Sequence, residues 1–481
     1  MSLSPATDAH RPAVHPRPPW GWINDPNGLA FHDGHYHVFF QHNPHSPRHG
    51  DIRWGHLRSP DLIRWQLLLP ALSPTPGGDD ADGCFSGNAV DDGARLVAFY
   101  SANRTDRWWQ PIAAAESHDG GLSWTKHPKL VIPEPPDGCT MWRDPYVWHQ
   151  EGHWRMLVGA ALADGRGAAF LYTSHDLDQW AYQGPFLTSE HGDDPATGWE
   201  CPQYADFGAL DGALIVSDWH PQDGPRGTLV LSGRGHDGQF SAGAPAPLDH
   251  GPDFYAPALV SAPDGRLLLW GWAREARDND WVDQSGWAGL LTLPRELTLA
   301  DDGTVRQQPA RELLALRGPQ PLRTIGRSTS DEPVDLGRVD RCFDLTARPT
   351  ATGPKEPVLR LATSADGTEH LDIRLDPTNR QLVVDRDHAS ADHRAHRGSY
   401  RLPLPGPAIG PVELRLIIDH SIAELYLSTG QTLTLRFYPT GDTPWQLQAL
   451  GDCAYAVQAW PLTPISVDME LAKGEAARLS Q

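Results

Sequence analysis

Asp25, Asp144 and Glu200 occupy matching phases of an internal repeat in this 481-residue chain. The repeat is marked by Ser-x-Asp followed by tryptophan, at Ser59/Asp61/Trp65, Ser117/Asp119/Trp124 and Ser174/Asp176/Trp180, with a looser copy at Ser232/Asp237/Phe240. Successive markers lie about 60 residues apart, the length of a four-stranded propeller blade with its loops. Each acid precedes a marker by about 40 residues, so the three share one structural position in different blades. Phe85-Ser86 and Tyr255 fall at that position as well. If the position begins the innermost strand of each blade, these side chains converge on the central channel. Carboxylates gathered there are suited to nucleophilic and acid–base work on a bound substrate. The plainer reading is turn chemistry, because Asp25-Pro26 and Asn27-Gly28 are both turn dipeptides. Asp144-Pro145 and Glu200-Cys201-Pro202 repeat the acid-then-proline arrangement, which favours convergence, yet spacing alone leaves both readings open. A residue before proline is held extended, and this predicts the aim of Asp25 and Asp144. Arg143 beside Asp144 is either an ordinary ion pair or a cation that keeps the carboxylate charged.

The elements that must position these residues are strands. Short apolar runs at His35 to Gln41, Leu96 to Ser101, Trp154 to Ala160, Ala168 to Ser174, Ala213 to Asp218, Thr228 to Ser232 and Leu267 to Trp272 are separated by Asp-Gly turns. The repeat length divides the region 16–310 into five blades. The repeated tryptophans are expected between blades. Ala310 to Leu316 reads as a helical turn within a linker, 311–324, that Gly318-Pro319 breaks. Beyond residue 325 the tryptophan repeat gives way to alternating strands, among them Val358 to Ala362, Leu371 to Leu375, Leu382 to Asp385, Val412 to Ile418, Ile422 to Leu427, Leu433 to Tyr438 and Tyr455 to Trp460. That alternation predicts a β-sandwich over 325–481. The fold class is therefore all-β, a five-bladed β-propeller followed by a C-terminal β-sandwich.

Composition narrows the ligand. A net charge of −21 argues against a nucleic-acid surface and repels anionic lipid, so neither nucleic acid nor membrane is an expected partner; a neutral small molecule such as a sugar is. Met1 to His15 holds no apolar signal core, and a cytoplasmic location is expected. Cys84, Cys139, Cys201, Cys342 and Cys453 are widely spaced and read as reduced thiols. His32, His35, His37, His42, His45 and His49 lack a recognised ligand spacing, so they read as strand and loop histidines, with no metal and no cofactor implied. Oligomeric state is not readable.

Trp22-Ile23-Asn24-Asp25-Pro26-Asn27-Gly28, Phe39-Phe40-Gln41-His42-Asn43-Pro44, Phe85-Ser86-Gly87, Trp142-Arg143-Asp144-Pro145, Trp199-Glu200-Cys201-Pro202 and Gly286-Trp287-Ala288-Gly289 with Leu293-Pro294-Arg295-Glu296-Leu297 stand in an order that resembles glycoside hydrolase family 32, the invertase and β-fructofuranosidase family. The resemblance implies a retaining enzyme that cleaves β-fructofuranosidic bonds of sucrose or short fructo-oligosaccharides. It implies Asp25 as nucleophile, Glu200 as general acid and base, and Asp144 as the carboxylate that holds the fructose hydroxyls. Asn24, Gln41, Trp54, Ser86 and Arg143 match positions lining the fructosyl pocket, with Phe85, Tyr255 and Trp287 as apolar walls. One departure concerns the rim, where the family commonly carries Trp-Gly and this chain has His49-Gly50. The loop from Arg104 to Trp109 and the insertion Asp278-Asn279-Asp280-Trp281 are expected on the leaving-group side. Arg104 and Arg107 either hold a 6-phosphate or pair with Asp106. A sucrose-6-phosphate hydrolase or fructosyltransferase is the alternative within the fold, and a non-catalytic sugar-binding propeller the alternative outside enzymology.

Overall fold

The computed structural model describes residues 8–190, 197–208, 211–236, 239–405 and 413–469. Its N-terminal part is a β-propeller of antiparallel sheets that follow one another along the chain. The first holds β1 (Gly21–His32), β2 (His35–Asn43), β3 (Arg53–Ser59) and β4 (Trp65–Leu67). The next holds β5 (Gly83–Asp91), β6 (Leu96–Asn103), β7 (Ile112–Ser117) and β8 (Thr125–Lys126). It is followed by β9 (Cys139–Gln150), β10 (His153–Leu162), β11 (Gly167–Ser174) and β12 (Ala181–Thr188). Then come β13 (Gly198–Gly208), β14 (Asp211–His220), β15 (Gly224–His236) and β16 (Gln239–Ala242), with β17 (Ala246–Pro247) beside β15. The last is built on β18 (Phe254–Ser261) and β19 (Leu267–Ala273), which Arg295–Leu299 and Val305–Pro309 extend.

The sequence repeat is the turn between the third and fourth strands. Ser59 Oγ accepts the amides of Asp61 and Leu62, Asp61 accepts those of Ile63 and Arg64, and the Trp65 indole donates to Leu62 O. Ser174, Asp176 and Trp180 repeat the pattern. Each turn therefore satisfies its own backbone and frees the indole to fill the gap to the preceding sheet. Trp124 meets Phe39 with ring centroids 5.5 Å apart, and Trp180 meets Phe99 at 5.6 Å. Trp65 packs in one cluster with Val260 and Trp270, joining the first sheet to the last as a closed ring requires. In the looser copy, Asp237 lies outside the described residues.

After a short 3₁₀ turn, Arg311–Leu316, the chain enters a β-sandwich-like sheet. Its spine is Trp445–Pro461, a strand whose residues alternate between buried and half-buried up to Trp460. Leu322–Val339, which sequence reading missed, lies along one side of that spine, and Val358–Ala362 and Cys342–Ala347 along the other. Of the expected strand Val412 to Ile418, Val412 lies outside the described residues and Leu414–Asp419 is strand. Both chain ends cross back: Val467–Asp468 pairs with β4, and the amides of Ala13, Val14 and His15 donate to Asp419.

One helix was not anticipated. Asn279–Ser285 is α-helical, capped by the Asp278 carboxylate, which accepts from Trp281 N, and closed by Gly286 at φ 72°. The Trp281 ring packs against His10 and Tyr438, so it is turned to the sandwich rather than offered to a leaving group, while Asn279 O and Asp283 accept from Arg48, next to the rim residue His49.

Candidate active site

The innermost strand of every propeller sheet carries a register break at the position singled out by the repeat. The breaks fall between Ile23 and Pro26 in β1, Cys84 and Gly87 in β5, Glu200 and Gln203 in β13, and Tyr255 and Ala258 in β18. In β9 pairing with β10 skips from Arg143 to Tyr146. An unpaired residue bends the strand and re-aims its side chain, and here this is repeated until the side chains meet at the axis. Backbone strain accompanies it: Asp144, Cys201 and Ala256, each before a proline, have φ of 65°, 46° and 45°. The extended conformation expected of Asp144 is thus corrected, because the bulge outweighs the preference of a pre-proline residue. Gly289 shows how close the backbones come, since a Cβ there would lie 1.9 Å from Ile23 O, one residue before Asn24.

Asp25 is held from three strands. Its Oδ2 accepts from Ser86 Oγ at 2.6 Å and Gln41 Nε2 at 3.1 Å, and its Oδ1 accepts from Asn24 Nδ2 at 3.1 Å. Asn24 is fixed in turn by the Trp22 indole at 2.7 Å. Asp144 accepts the Cys201 amide at 3.0 Å on Oδ2, while its own amide donates to Ser101 Oγ at 2.7 Å. Glu200 receives Arg143 on Oε1, from Nη2 at 2.5 Å and Nε at 3.1 Å, and the Tyr255 hydroxyl on Oε2 at 2.6 Å. The Cys201 thiol sits between two acids, 3.7 Å from Asp25 Oδ2 and 3.6 Å from Asp144 Oδ2.

These acids are not evenly compensated. Burial pushes the Asp25 carboxyl up to about 6, with the Glu200 charge adding to it and the Ser86, Asn24 and Cys201 hydrogen bonds opposing. Burial raises Asp144 too; Arg143 opposes, and the neighbouring Glu200 and Asp25 charges reinforce the rise. Burial and the three acids together push the Cys201 thiol well above the ordinary range, so it stays a neutral donor. The site can therefore hold one buried acid near its ionisation point beside another carboxylate that carries its own proton-donating partners.

Of the residues singled out in the sequence, Asn24, Asp25, Gln41, Ser86, Arg143, Asp144, Glu200 and Tyr255 come together in this network. Phe85 flanks it. Trp54 is fully buried and donates its indole N–H to Phe85 O at 2.9 Å, so it supports the wall from behind instead of forming it. Trp287 does not reach the channel. It is 1% exposed, stacked between the Arg17 and Arg277 guanidiniums at 4.2 and 4.4 Å, and donates to Asp8 at 2.9 Å. Ser101 and Cys201 were missed; Cys201 could have been found from its place after Glu200, whereas nothing local marks Ser101. Trp22, Trp272 and Trp219 were missed as well: Trp272 lies edge-on to both Trp22 and Tyr255, and the Arg143 guanidinium lies 5.4 Å from the Trp219 ring. Among the described residues no group of three His, Cys, Asp or Glu is arranged to hold a metal ion.

A propeller that gathers three carboxylates at its axis, with the charges of Asp25 and Glu200 close enough to raise Asp144, has the composition of a glycoside hydrolase site. Residues 15–309 match the glycosyl hydrolases family 32 N-terminal domain and residues 312–453 the family 32 C-terminal domain, and the chain belongs to that family. Raffinose invertase of Escherichia coli is 34% identical over 90% of each chain. A sucrose-6-phosphate hydrolase of Klebsiella pneumoniae is 33% identical over 96% of this chain and 95% of its own. Among solved structures, fructan 1-exohydrolase IIa of Cichorium intybus superimposes with a TM-score of 0.84 at 25% identity, covering 96% of this chain and 99% of that one.

Proposed function

We propose that this glycoside hydrolase cleaves the terminal β-fructofuranosidic bond of sucrose or a short fructo-oligosaccharide, with retention at the anomeric carbon. The observation that carries the reading is the unequal hydrogen bonding of Asp25. Its Oδ2 is engaged by Ser86, Gln41 and the Cys201 thiol, while among the described residues Oδ1 receives only Asn24 and is the freer oxygen to attack. In the first step Asp25 Oδ1 bonds to C2 of the fructosyl unit as the C2–O bond breaks. The leaving oxygen keeps the bonding pair and takes a proton from Glu200. In the second, Glu200 takes a proton from water, the water oxygen bonds to C2, and Asp25 is released. Asp144, fixed by Ser101 and Cys201, accepts from the fructose hydroxyls.

The sheet order supports reading residues 16–310 as a five-bladed catalytic propeller, 311–324 as the connection and 325–481 as the sandwich. The relatives' names support a fructosyl substrate. They also favour a second reading, a sucrose-6-phosphate hydrolase, since that name belongs to the Klebsiella pneumoniae relative and to a Lactobacillus gasseri structure with a TM-score of 0.82 at 26% identity, covering 96% of this chain and 95% of that one. Reducing-sugar release from sucrose, sucrose 6-phosphate, raffinose, inulin and levan is the test. Sucrose cleaved with free fructose from the first time point is the expected result. A strong preference for the phosphate ester would install the second reading, and no cleavage of any fructoside would end both.

A further inference from the structure

Every innermost propeller strand starts on the face where the acids open, and its antiparallel neighbour returns to that face. In the second sheet this brings Asn103, the last residue of β6, opposite Gly83, two residues before Phe85. The loop that follows is pinned at both ends beside the pocket. Thr105 donates its amide and hydroxyl to Asp82, at 2.8 and 3.0 Å. Gln110 donates its amide to Trp142 O at 3.1 Å, next to Arg143. The loop therefore forms the stretch of rim between Phe85 and Arg143.

On this anchored loop Trp108 is 49% exposed. Its neighbour Trp109 props it edge-on, with ring centroids 5.3 Å apart, and is itself held by an indole hydrogen bond to Pro133 O at 3.2 Å. A large aromatic kept in water on an anchored polar loop presents a flat apolar face against which the C–H face of a sugar ring can pack, while the sugar's hydroxyls reach polar groups around it. Phe85, with the His49 ring 5.6 Å away, already fronts the pocket on this side.

We propose that Trp108 is the platform of a distal leaving-group subsite, which takes a sugar ring beyond the one adjoining the cleaved bond and so favours oligosaccharides over sucrose. This rests on the fructosidase reading. The test measures kcat/KM for sucrose and for the tetrasaccharide nystose in wild type, Trp108→Ala and Trp108→Tyr. Trp108→Ala is expected to lose about five- to tenfold on nystose through KM, with sucrose unchanged within about twofold, and Trp108→Tyr to recover most of the loss. Equal losses on both substrates, or none on nystose, would overturn the subsite. Nystose binding to Asp25→Asn, with and without Trp108→Ala, reads the platform without turnover; binding that ignores Trp108 also overturns it. Wild type that cleaves no fructoside, while Asp25→Asn still binds nystose through Trp108, would instead fail the hydrolase reading and leave the platform standing. If Trp108→Ala altered sedimentation but neither kinetics nor binding, the residue would belong to a contact between copies, and the subsite would be wrong.

Discussion

Two regions of this molecule bury carboxylates, and they treat them in opposite ways. At the junction of propeller and sandwich, Arg295 donates to Asp249 at 2.8 Å and to Glu424 at 2.9 Å, and His15 bridges Asp419 at 2.7 Å and Glu424 at 3.0 Å. Burial alone would raise Glu424, but Arg295 and His15 outweigh it and hold the carboxyl down to about 2. At the channel, burial wins. Asp25 rises to about 6 because its partners there are neutral donors and further acids. The same residue type in the same fold is thus a tie in one place and a stored reactivity in the other, and the difference lies in whether a cation was supplied along with the acid.

The largest effect that would break this comparison is on turnover. Asp25→Ala and Glu200→Ala are each expected to lower kcat by at least about a thousandfold. Thermal unfolding of Asp25→Ala should stay where it was or move up, since that change strands no cation, whereas Glu200→Ala should unfold at a lower temperature because it takes the carboxylate from the Arg143 guanidinium. Near-normal turnover in Asp25→Ala would remove the functional half of the comparison. Arg295→Met should do the reverse. It strands Asp249 and Glu424 without their guanidinium and is expected to cost about 3–5 kcal/mol of stability, read by urea unfolding, with kcat per folded molecule nearly kept. An Arg295→Met protein as stable as wild type would mean that the junction network is no tie at all.

Proton linkage sharpens the contrast, because the signs differ. The Asp25 carboxyl is raised from 3.8 to about 6, so its ionisation costs the fold stability as pH rises through that window. Asp25→Asn should gain about 3 kcal/mol over wild type at pH 8 and nothing below pH 3.8. Glu424, lowered from 4.5 to about 2, contributes stability above 4.5 that is lost as pH falls toward 2. His15, raised from 6.5 to about 9 because its two carboxylates outweigh its burial, contributes fully below 6.5 and is lost as pH rises through 9. His15→Gln should therefore match wild type most closely in strong alkali. For activity, the acidic limb of kcat/KM is expected near pH 6, where Asp25 ionises. A limb near 4 would return Asp25 to an ordinary carboxylate.

What could be read beforehand divides along the same line. The repeat placed Asp25, Asp144 and Glu200 at equivalent strand positions because a propeller repeats its geometry, and a bulge at each position makes that phase visible in sequence. The turn motif was legible for a local reason: Ser59, Asp61 and Trp65 each bond to the backbone of the same seven-residue turn. The junction was not legible. Arg295 meets Glu424 at a sequence separation of 129, and no local pattern announces that pairing. Trp287 failed on the same ground. Its motif sits beside β1 in space, but the chain N-terminus supplies Arg17 and Asp8 to cover the ring, and nothing near residue 287 foretells them.

The smallest expected effect concerns the rim, where the pairing logic decides what a cation is free to bind. Arg104 holds Asp106 in a two-pronged contact, Nε at 3.0 Å and Nη2 at 2.6 Å, and Arg107 holds Asp79 through its carboxylate at 3.2 Å and its carbonyl at 2.8 Å. A phosphate could recruit either guanidinium only by displacing a carboxylate already in place, which offsets most of the gain in a half-solvated setting. The double variant Arg104→Ala/Arg107→Ala is accordingly expected to change the ratio of kcat/KM for sucrose 6-phosphate over sucrose by less than about twofold. A tenfold or larger fall in that ratio would mean that the rim arginines leave their acids for the substrate, that paired cations here are not ties, and that phosphorylated sucrose is the ligand this mouth was built to read.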